Sequence, residues 1–262
     1  NKNNIDFVFL NRPHTSLTYL SFIKQHTTAK VLYYGHDLHF LRELRKYEID
    51  KDPATLASSK QWKSKEQFIY ENADQVLTCS EEETAAIREM NPAYNVATIL
   101  PYFFKIPASA IDDFSLRKNL LFVGGFGHPP NEDGVTWFCK EVWPKITAAI
   151  PGIVFTIVGS KVTPAISQLK SANINVAGFV NDFDLKKIYD STKIAIIPMR
   201  YGAGVKGKTV EAMYNGIPVV STTIGLEGMP GIYDFMQAFD SADAFAEAII
   251  RLYNNETLLK EL

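Results

Sequence analysis

The amino-acid sequence predicts an α/β protein with two Rossmann-like domains, each built around a parallel sheet. Short apolar strands alternate with amphipathic helices in two runs along the 262 residues, and this alternation is typical of parallel sheets covered on both faces. A polar, proline-containing stretch at 101–118 separates the two runs and is interpreted as a linker. We therefore predict an N-terminal domain over 1–110 and a C-terminal domain over 111–262.

The first run contains only about four predicted strands, at 5–10, 30–34, 75–78 and 96–100. Helices are predicted at 16–25, 38–47 and 55–72, and a fourth starts at Ser80 and ends at about Glu89. Ser80 is the expected N-cap of that helix, and Asp37 is the expected N-cap of the helix that begins at Leu38. Because a full doubly wound sheet has six strands, we expect the N-terminal domain to be incomplete.

The second run is more regular. Strands are predicted at 120–123, 154–158, 174–177, 194–198 and 218–221, with a further candidate at 234–238. The intervening helices are predicted at 133–149, 164–170, 182–189, 209–215 and 241–253. Glycine-bearing turns follow the strands that end near 123, 158, 177 and 198, and ligands of such sheets bind beyond the carboxyl ends of the strands.

Composition excludes several classes of function. A net charge of −2 and a pI near 6.3 give no basis for binding nucleic acid. The two cysteines, Cys79 and Cys139, are far apart and favour a reduced, cytoplasmic setting over a disulfide framework. No apolar run approaches the roughly 18 residues that span a bilayer. Since the chain begins with Asn and opens almost directly into a strand, we expect that its true start is missing.

The stretch from Arg200 to Glu211 is the strongest candidate site. It follows an apolar strand and leads into a helix, and it carries three glycines and two lysines: Gly202, Gly204, Gly207, Lys206 and Lys208. Glycines let a ligand approach the backbone, and lysines beside a helix start favour an anion. Glu211 can accept hydrogen bonds from hydroxyls. The pattern indicates a phosphorylated sugar or a nucleotide; the alternative is a mobile turn with solvated lysines.

Two other stretches were weighed against known motifs. Gly124 and Gly125 begin a glycine turn after the first strand of the second run, but Pro130 replaces the third glycine of a dinucleotide fingerprint. That turn therefore favours close approach of a diphosphate over a nicotinamide cofactor. His36 and His39 lack the further ligands that a zinc site needs. His36, at the end of a strand, is kept as a candidate site residue, with a simple turn histidine as the alternative.

The chain resembles retaining glycosyltransferases of family 4, which have the GT-B fold. The resemblance lies in 120–131, Val158-Gly159, Gly178-Phe179-Val180 and 200–212, and continues through 216–220 and 225–228. In the first half, 34–39 and 73–80 are similar to the acceptor domain of that family.

The resemblance implies a nucleotide diphosphate sugar donor, held mainly by the C-terminal domain, and a saccharide or lipid-linked acceptor, as in polysaccharide biosynthesis. Glu211 matches the second glutamate of the family's Glu-x7-Glu motif, expected at the donor ribose. Phe179 and Val180 match the segment whose backbone reads the base, and His36 matches a histidine near the transferred sugar. Lys206 and Lys208 are candidates for the diphosphate by their charge and position.

Two departures from the family pattern affect this assignment. Ala203 stands where the first glutamate of the motif is expected, and the Arg and Lys that many members carry after the first C-domain strand are missing. The predicted activity is metal-independent sugar transfer with retention and without a cofactor; the alternative is a non-catalytic nucleotide-sugar-binding or scaffold domain. The predicted site residues are His36 and Lys206 for catalysis, and for the donor Gly124, Gly125, Phe179, Val180, Arg200, Gly202, Gly204, Lys206, Gly207, Lys208 and Glu211. A peripheral membrane contact through a lipid-linked acceptor stays open.

Overall fold

A computed structural model describes residues 5–99 and 114–261. The chain divides into two compact units, and each is described by itself. The described part of the first unit comprises 5–99 with two short later segments, Tyr201–Val205 and Glu227–Met229. The second comprises 114–200, Lys206–Leu226 and 230–261. The domain boundary predicted at 110/111 lies outside the described residues.

The first unit contains a parallel sheet of four strands in the order β1-β2-β3-β4. The strands are β1 (Phe7–Asn11), β2 (Lys30–Tyr34), β3 (Gln75–Thr78) and β4 (Val96–Thr98). The helices are α1 (Pro13–His26), α2 (His39–Asp50), α3 (Pro53–Asn72) and α4 (Glu81–Met90). These elements confirm the predicted alternation over the described part of this unit.

The helix starts of the first unit are capped in two different ways. Ser80 accepts a hydrogen bond from the Glu83 amide at 3.2 Å, which confirms the predicted N-cap of α4. The N-cap prediction for Asp37 is wrong: the N-cap residue of α2 is Leu38, and Asp37 binds the Arg42 guanidinium instead, at 2.5 Å. Acids from α3 and α4 take over the capping of α2.

Two buried carboxylates accept the backbone N–H groups at the start of α2. Glu66 of α3 accepts from His39 N at 2.8 Å and from Phe40 N at 3.0 Å, while Glu83 of α4 accepts from Leu38 N at 3.0 Å. Helix starts leave such amides without intrahelical partners, so these acids satisfy them. Burial raises the pKa of Glu66 to about 7, against the opposing effect of its two backbone hydrogen bonds.

The second unit contains a parallel sheet of five strands in the order β7-β6-β5-β8-β9. The strands are β5 (Asn119–Val123), β6 (Phe155–Val158), β7 (Ile174–Gly178), β8 (Thr192–Ile197) and β9 (Val219–Ser221). The helices are α5 (Pro129–Trp137), α6 (Trp143–Ala149), α7 (Pro164–Ser167), α8 (Asp182–Ser191), α9 (Gly207–Tyr214), α10 (Thr223–Leu226), α11 (Ala242–Tyr253) and α12 (Glu256–Glu261). All four residues of β6 are buried, as expected where helices cover both faces of a parallel sheet.

The second unit differs from the predicted elements most clearly in two segments. The helix predicted at 133–149 begins earlier, at Pro129, and its two α-helical parts are joined by a π-helical turn at Phe138–Val142. The strand candidate at 234–238 is wrong, because Ala238 forms only an isolated bridge with Ser221. An apolar segment that lies against a sheet edge through one bridge has the composition of a strand without its ladder of hydrogen bonds.

Candidate functional site

The second sheet has a topological switch point between β5 and β8. From β5 the chain continues on one side to β6 and β7, and then crosses to β8 and β9 on the other side. In open α/β sheets of this kind, ligands bind at the carboxyl ends of the strands that flank the switch point. Gly124 and Gly125 directly follow β5, and Arg200 follows β8. The candidate site is therefore the region around the carboxyl ends of these two strands.

The side chains of Asn131, Phe122 and Lys208 leave no room for a side chain at Gly124. A Cβ atom at Gly124 would lie 2.9 Å from Asn131 Nδ2 and 3.1 Å from Lys208 Cε. The Gly124 amide donates to the Val158 carbonyl at 2.9 Å, which fixes the turn against the end of β6. The turn after β5 thus requires glycine for packing, in addition to any approach by a ligand.

Asn131, in the first turn of α5, joins the glycine turn to α9. Its Nδ2 donates to the Gly125 carbonyl at 2.7 Å, and its Oδ1 accepts from Lys208 Nζ at 2.9 Å. The side chain is buried, with 4% of its surface exposed. Asn131 was not predicted as a site residue; its position in the first helical turn after the glycines is the signal that could have indicated it.

Lys208 carries the most perturbed cationic group of this region. Burial, followed by repulsion from Lys206, lowers the pKa of Lys208 to about 7. Its ammonium lies 5.6 Å from the centroid of the Phe122 ring. Burial and a neighbouring like charge both disfavour the ammonium form, and an anion bound here would favour it again. Lys208 also lies at the start of α9, where the helix dipole favours negative charge.

Lys206 and Arg200 flank the same loop with different partners. Lys206 is the N-cap residue of α9 and is buried. Arg200 forms a two-pronged ion pair with Asp133 of α5: Nε donates to Oδ2 at 2.8 Å, and Nη2 donates to Oδ1. The guanidinium predicted for the donor is therefore held by a carboxylate, and Asp133 is a contact that sequence reasoning missed.

The remaining predicted residues of the second unit lie on α9 and after β7. Gly207 begins α9, and Glu211 follows Lys208 on that helix by three positions. The charge of Glu211 raises the pKa of Tyr189 of α8 further, after the larger effect of burial. Phe179 and Val180 follow β7, two strands away from β5, and Phe179 is 77% exposed. The described contacts thus group Gly124, Gly125 and Lys208, while Phe179 and Val180 stand apart.

The other three predicted site residues, His36, Gly202 and Gly204, belong to the first unit. His36 follows β2, and its Nε2 makes a 2.6 Å hydrogen bond with Asn11 Oδ1, because the register pairs Asn11 with Tyr34 at the carboxyl ends of β1 and β2. Burial, then the positive charge of Arg12, lowers the pKa of His36, whereas Asp37 opposes them. Burial and Arg12 thus favour the neutral imidazole over the imidazolium.

Two other kinds of feature are absent from the described residues. Over 5–99 and 114–261, no three or more His, Cys, Asp or Glu side chains form a group that could hold a metal ion. Among the helices of that same part of the chain, none combines the length and apolar character needed to cross a bilayer.

Two parallel sheets covered by helices, one with a topological switch point, place the protein among Rossmann-like α/β proteins. A family model described as "Glycosyl transferases group 1" matches residues 117–255, which is more than half of the chain. The protein belongs to this family of glycosyltransferases, and the predicted family resemblance is confirmed.

Known relatives and structures extend this comparison. A Klebsiella pneumoniae "Uncharacterized 44.6 kDa protein in cps region" is 36% identical over 160 residues, which cover 58% of this chain and 41% of that protein. The fold is similar to sucrose-phosphate synthase from Thermosynechococcus elongatus, with a TM-score of 0.75 and 18% identity over 99% of this chain and 67% of that one. It is also similar to S. aureus TarM in complex with fondaparinux, α-GlcNAc-glycerol and UDP, with a TM-score of 0.68 and 19% identity over 92% and 48% of the two chains.

These similarities confirm the predicted GT-B class of fold. The chain spans less than half the length of the Klebsiella relative that it matches. At 18–19% identity, the two structures show a shared fold and nothing further about this chain.

Proposed function

We propose that the chain is part of a glycosyltransferase that moves a sugar from a nucleotide diphosphate sugar to a hydroxyl of a saccharide or lipid-linked acceptor. The observation that carries the proposal is the contact of Lys208 with Asn131 beside the glycine turn, at the switch point of the second sheet. A lysine of lowered pKa beside a second lysine and a helix start favours a diphosphate. Membership of the glycosyltransferase family supports the sugar-transfer chemistry.

The proposed mechanism stabilises the leaving diphosphate without a metal ion or a cofactor. Negative charge grows on the diphosphate as the glycosidic bond breaks, and Lys206, Lys208 and the amides at the start of α9 are the groups that would stabilise it. Glu211 would accept hydrogen bonds from the donor ribose, and Phe179 with Val180 would contact the base. His36, with its lowered pKa, would act as a neutral group near the transferred sugar.

Transfer with retention is part of the proposal, and both a covalent intermediate and same-face departure and attack are compatible with it. Ala203 contributes no acid, and it packs against the apolar core of the first unit.

A cytoplasmic enzyme of polysaccharide synthesis, with peripheral membrane contact through a lipid-linked acceptor, fits the cps region from which the Klebsiella relative takes its name.

Calorimetry with a panel of UDP- and GDP-sugars, together with an assay of donor hydrolysis and transfer, tests the proposal. Binding followed by hydrolysis or transfer supports it, and NMR of the product's anomeric configuration tests retention. Transfer that persists in EDTA supports metal independence. Binding of a donor without turnover favours the alternative, a non-catalytic nucleotide-sugar-binding or scaffold protein.

Two variants test the assigned roles. Lys206→Ala should lower turnover about 100- to 1000-fold, as removal of one charge-stabilising donor does, with a smaller effect on donor affinity. Glu211→Ala should chiefly weaken donor binding. Near-normal kinetics in both variants would contradict the site assignment. Lys193→Ala, on β8 of the same unit, is the matched control: its ammonium lies over the Tyr253 ring, away from the candidate site.

A further inference from the structure

Two short segments from the later half of the chain belong to the first unit. They are Tyr201–Val205, which directly precedes Lys206, and Glu227–Met229, which follows α10. The segment 201–205 carries the glycines of the loop between β8 and α9. What holds these segments in the first unit therefore determines the backbone path just before Lys206.

Arg45 of α2 binds both segments. Its Nη1 donates to the Gly202 carbonyl at 2.6 Å and to Glu227 Oε2 at 2.8 Å, and its Nη2 donates to Glu227 Oε1 at 2.5 Å. The Glu227 carboxylate is buried, with 7% of the residue exposed. A two-pronged guanidinium–carboxylate pair restricts orientation as well as distance, so one arginine fixes the two segments together.

The backbone of both segments lies directly against the first unit. A Cβ atom at Gly204, whose φ is 71°, would lie 2.5 Å from the His36 carbonyl oxygen. A Cβ atom at Gly228, whose φ is 82°, would lie 2.7 Å from Val205 Cγ2 and 2.9 Å from Ser80 Cβ. These contacts leave room only for glycine, and the left-handed conformation favours it as well.

We propose that Arg45 and Glu227 are positioning residues for Lys206. Neither is placed at the diphosphate; they act by fixing the segment 201–205 to which Lys206 is covalently joined. Each residue adds only two soft backbone dihedrals, so a segment held up to Val205 leaves the backbone of Lys206 little freedom. The inference deepens the proposed function and rests on it, because it concerns the path of the backbone that leads to Lys206, a residue proposed to stabilise the diphosphate.

Arg45→Met tests the proposal, with Lys46→Met as the matched control on the same helix. Lys46 forms an exposed pair with Asp50 at 3.8 Å, of the kind that contributes little to stability. Hydrogen exchange of the amides of 202–206 should accelerate about tenfold or more in Arg45→Met and stay unchanged in Lys46→Met. Turnover should fall about tenfold to 100-fold, as expected for a displacement near 1 Å, and by more than the affinity for UDP falls.

The double variant Arg45→Met, Glu227→Gln removes the buried negative charge together with the arginine that binds it, and it is the variant to use if Arg45→Met does not fold. The same acceleration and loss of turnover are expected. Unchanged exchange in 202–206, or faster exchange with wild-type turnover, would overturn the positioning role. If the wild-type protein transfers no sugar, the proposed function fails. Faster hydrogen exchange in 202–206 of Arg45→Met, together with weaker UDP binding, would then still support the anchoring of this segment by Arg45. Unchanged exchange would overturn the anchoring role.

Discussion

The lowered pKa of Lys208 predicts that donor affinity depends on pH. The free protein holds this side chain with a pKa of about 7, because the part-buried group is desolvated and lies near Lys206. A bound diphosphate supplies the opposite charge that the site lacks, so the bound state favours the ammonium form. Above pH 7, binding must therefore take up a proton, and affinity should fall as the pH rises.

The size of the effect follows from the protonated fraction. At pH 6 almost every Lys208 is an ammonium, whereas at pH 8 only about one in ten is, so affinity should fall about tenfold, or about 1.4 kcal/mol, between the two. A further loss of about tenfold is expected from pH 8 to pH 9. In the free protein Asn131 accepts a hydrogen bond from Lys208 Nζ, which both the ammonium and the neutral amine can donate.

The assay is titration calorimetry with a nucleotide diphosphate sugar, since its diphosphate diester does not titrate between pH 6 and pH 9. Measurements at pH 8 in two buffers of different ionisation enthalpy should reveal uptake of about 0.9 proton per ligand bound. Lys208→Met should bind weakly and without this pH dependence. Lys208→Arg should bind with no loss above pH 7, because a guanidinium stays charged.

Two results would refute this reasoning. If the wild-type affinity were flat from pH 6 to pH 9, no group of the site would change its protonation on binding. If Lys208→Met kept the wild-type pH dependence, the titrating group would be another one.

Three further predictions concern stability. Glu66 has a folded-state pKa of about 7, raised from 4.5 by burial, so between pH 4.5 and pH 7 the native state binds more protons than the unfolded state. The free energy of unfolding should therefore fall by at most about 3 kcal/mol as the pH rises across that window. Urea unfolding of Glu66→Gln at several pH values should lack this dependence of stability on pH. Gly134→Ala would place a Cβ atom only 2.4 Å from the Pro198 carbonyl oxygen and should lower the free energy of unfolding by about 1–3 kcal/mol; an unchanged urea midpoint would contradict this close contact. Ser80→Ala removes the N-cap of α4 and should cost about 1 kcal/mol, measurable by thermal unfolding. Ser80→Gly, which adds no atom at this buried position, should cost less.

Much of the fold could be predicted because its signals are local. The strands at 30–34 and 75–78 have the predicted bounds, since apolar runs between turn residues identify buried strands. Ser80 caps the helix that it is expected to begin. The segment 234–238 was mistaken for a strand because its apolar composition carries no information on whether a partner strand is in reach.

The site could be predicted only in part. The glycines and lysines of 200–208 are visible in the sequence because they are neighbours, and so is the glycine turn after β5. The role of Asn131 was missed since it depends on Lys208, 77 positions later. The position of Asp37 before a helix predicts an N-cap, but the amides at the start of that helix donate to Glu66 of α3 and Glu83 of α4 instead.

The order of strands and helices, the glycine–lysine stretch and the resemblance to glycosyltransferases can all be recognised in the sequence, because periodicity and motif spacing act over a few residues. Which distant groups meet depends on the tertiary structure. Arg45 and Glu227 lie 182 positions apart, and nothing local pairs them. The strand order that puts the switch point between β5 and β8 follows from packing and crossover handedness. The pKa shifts also depend on the fold, because burial excludes water from the two groups. Desolvation lowers the pKa of Lys208 and raises that of Glu66.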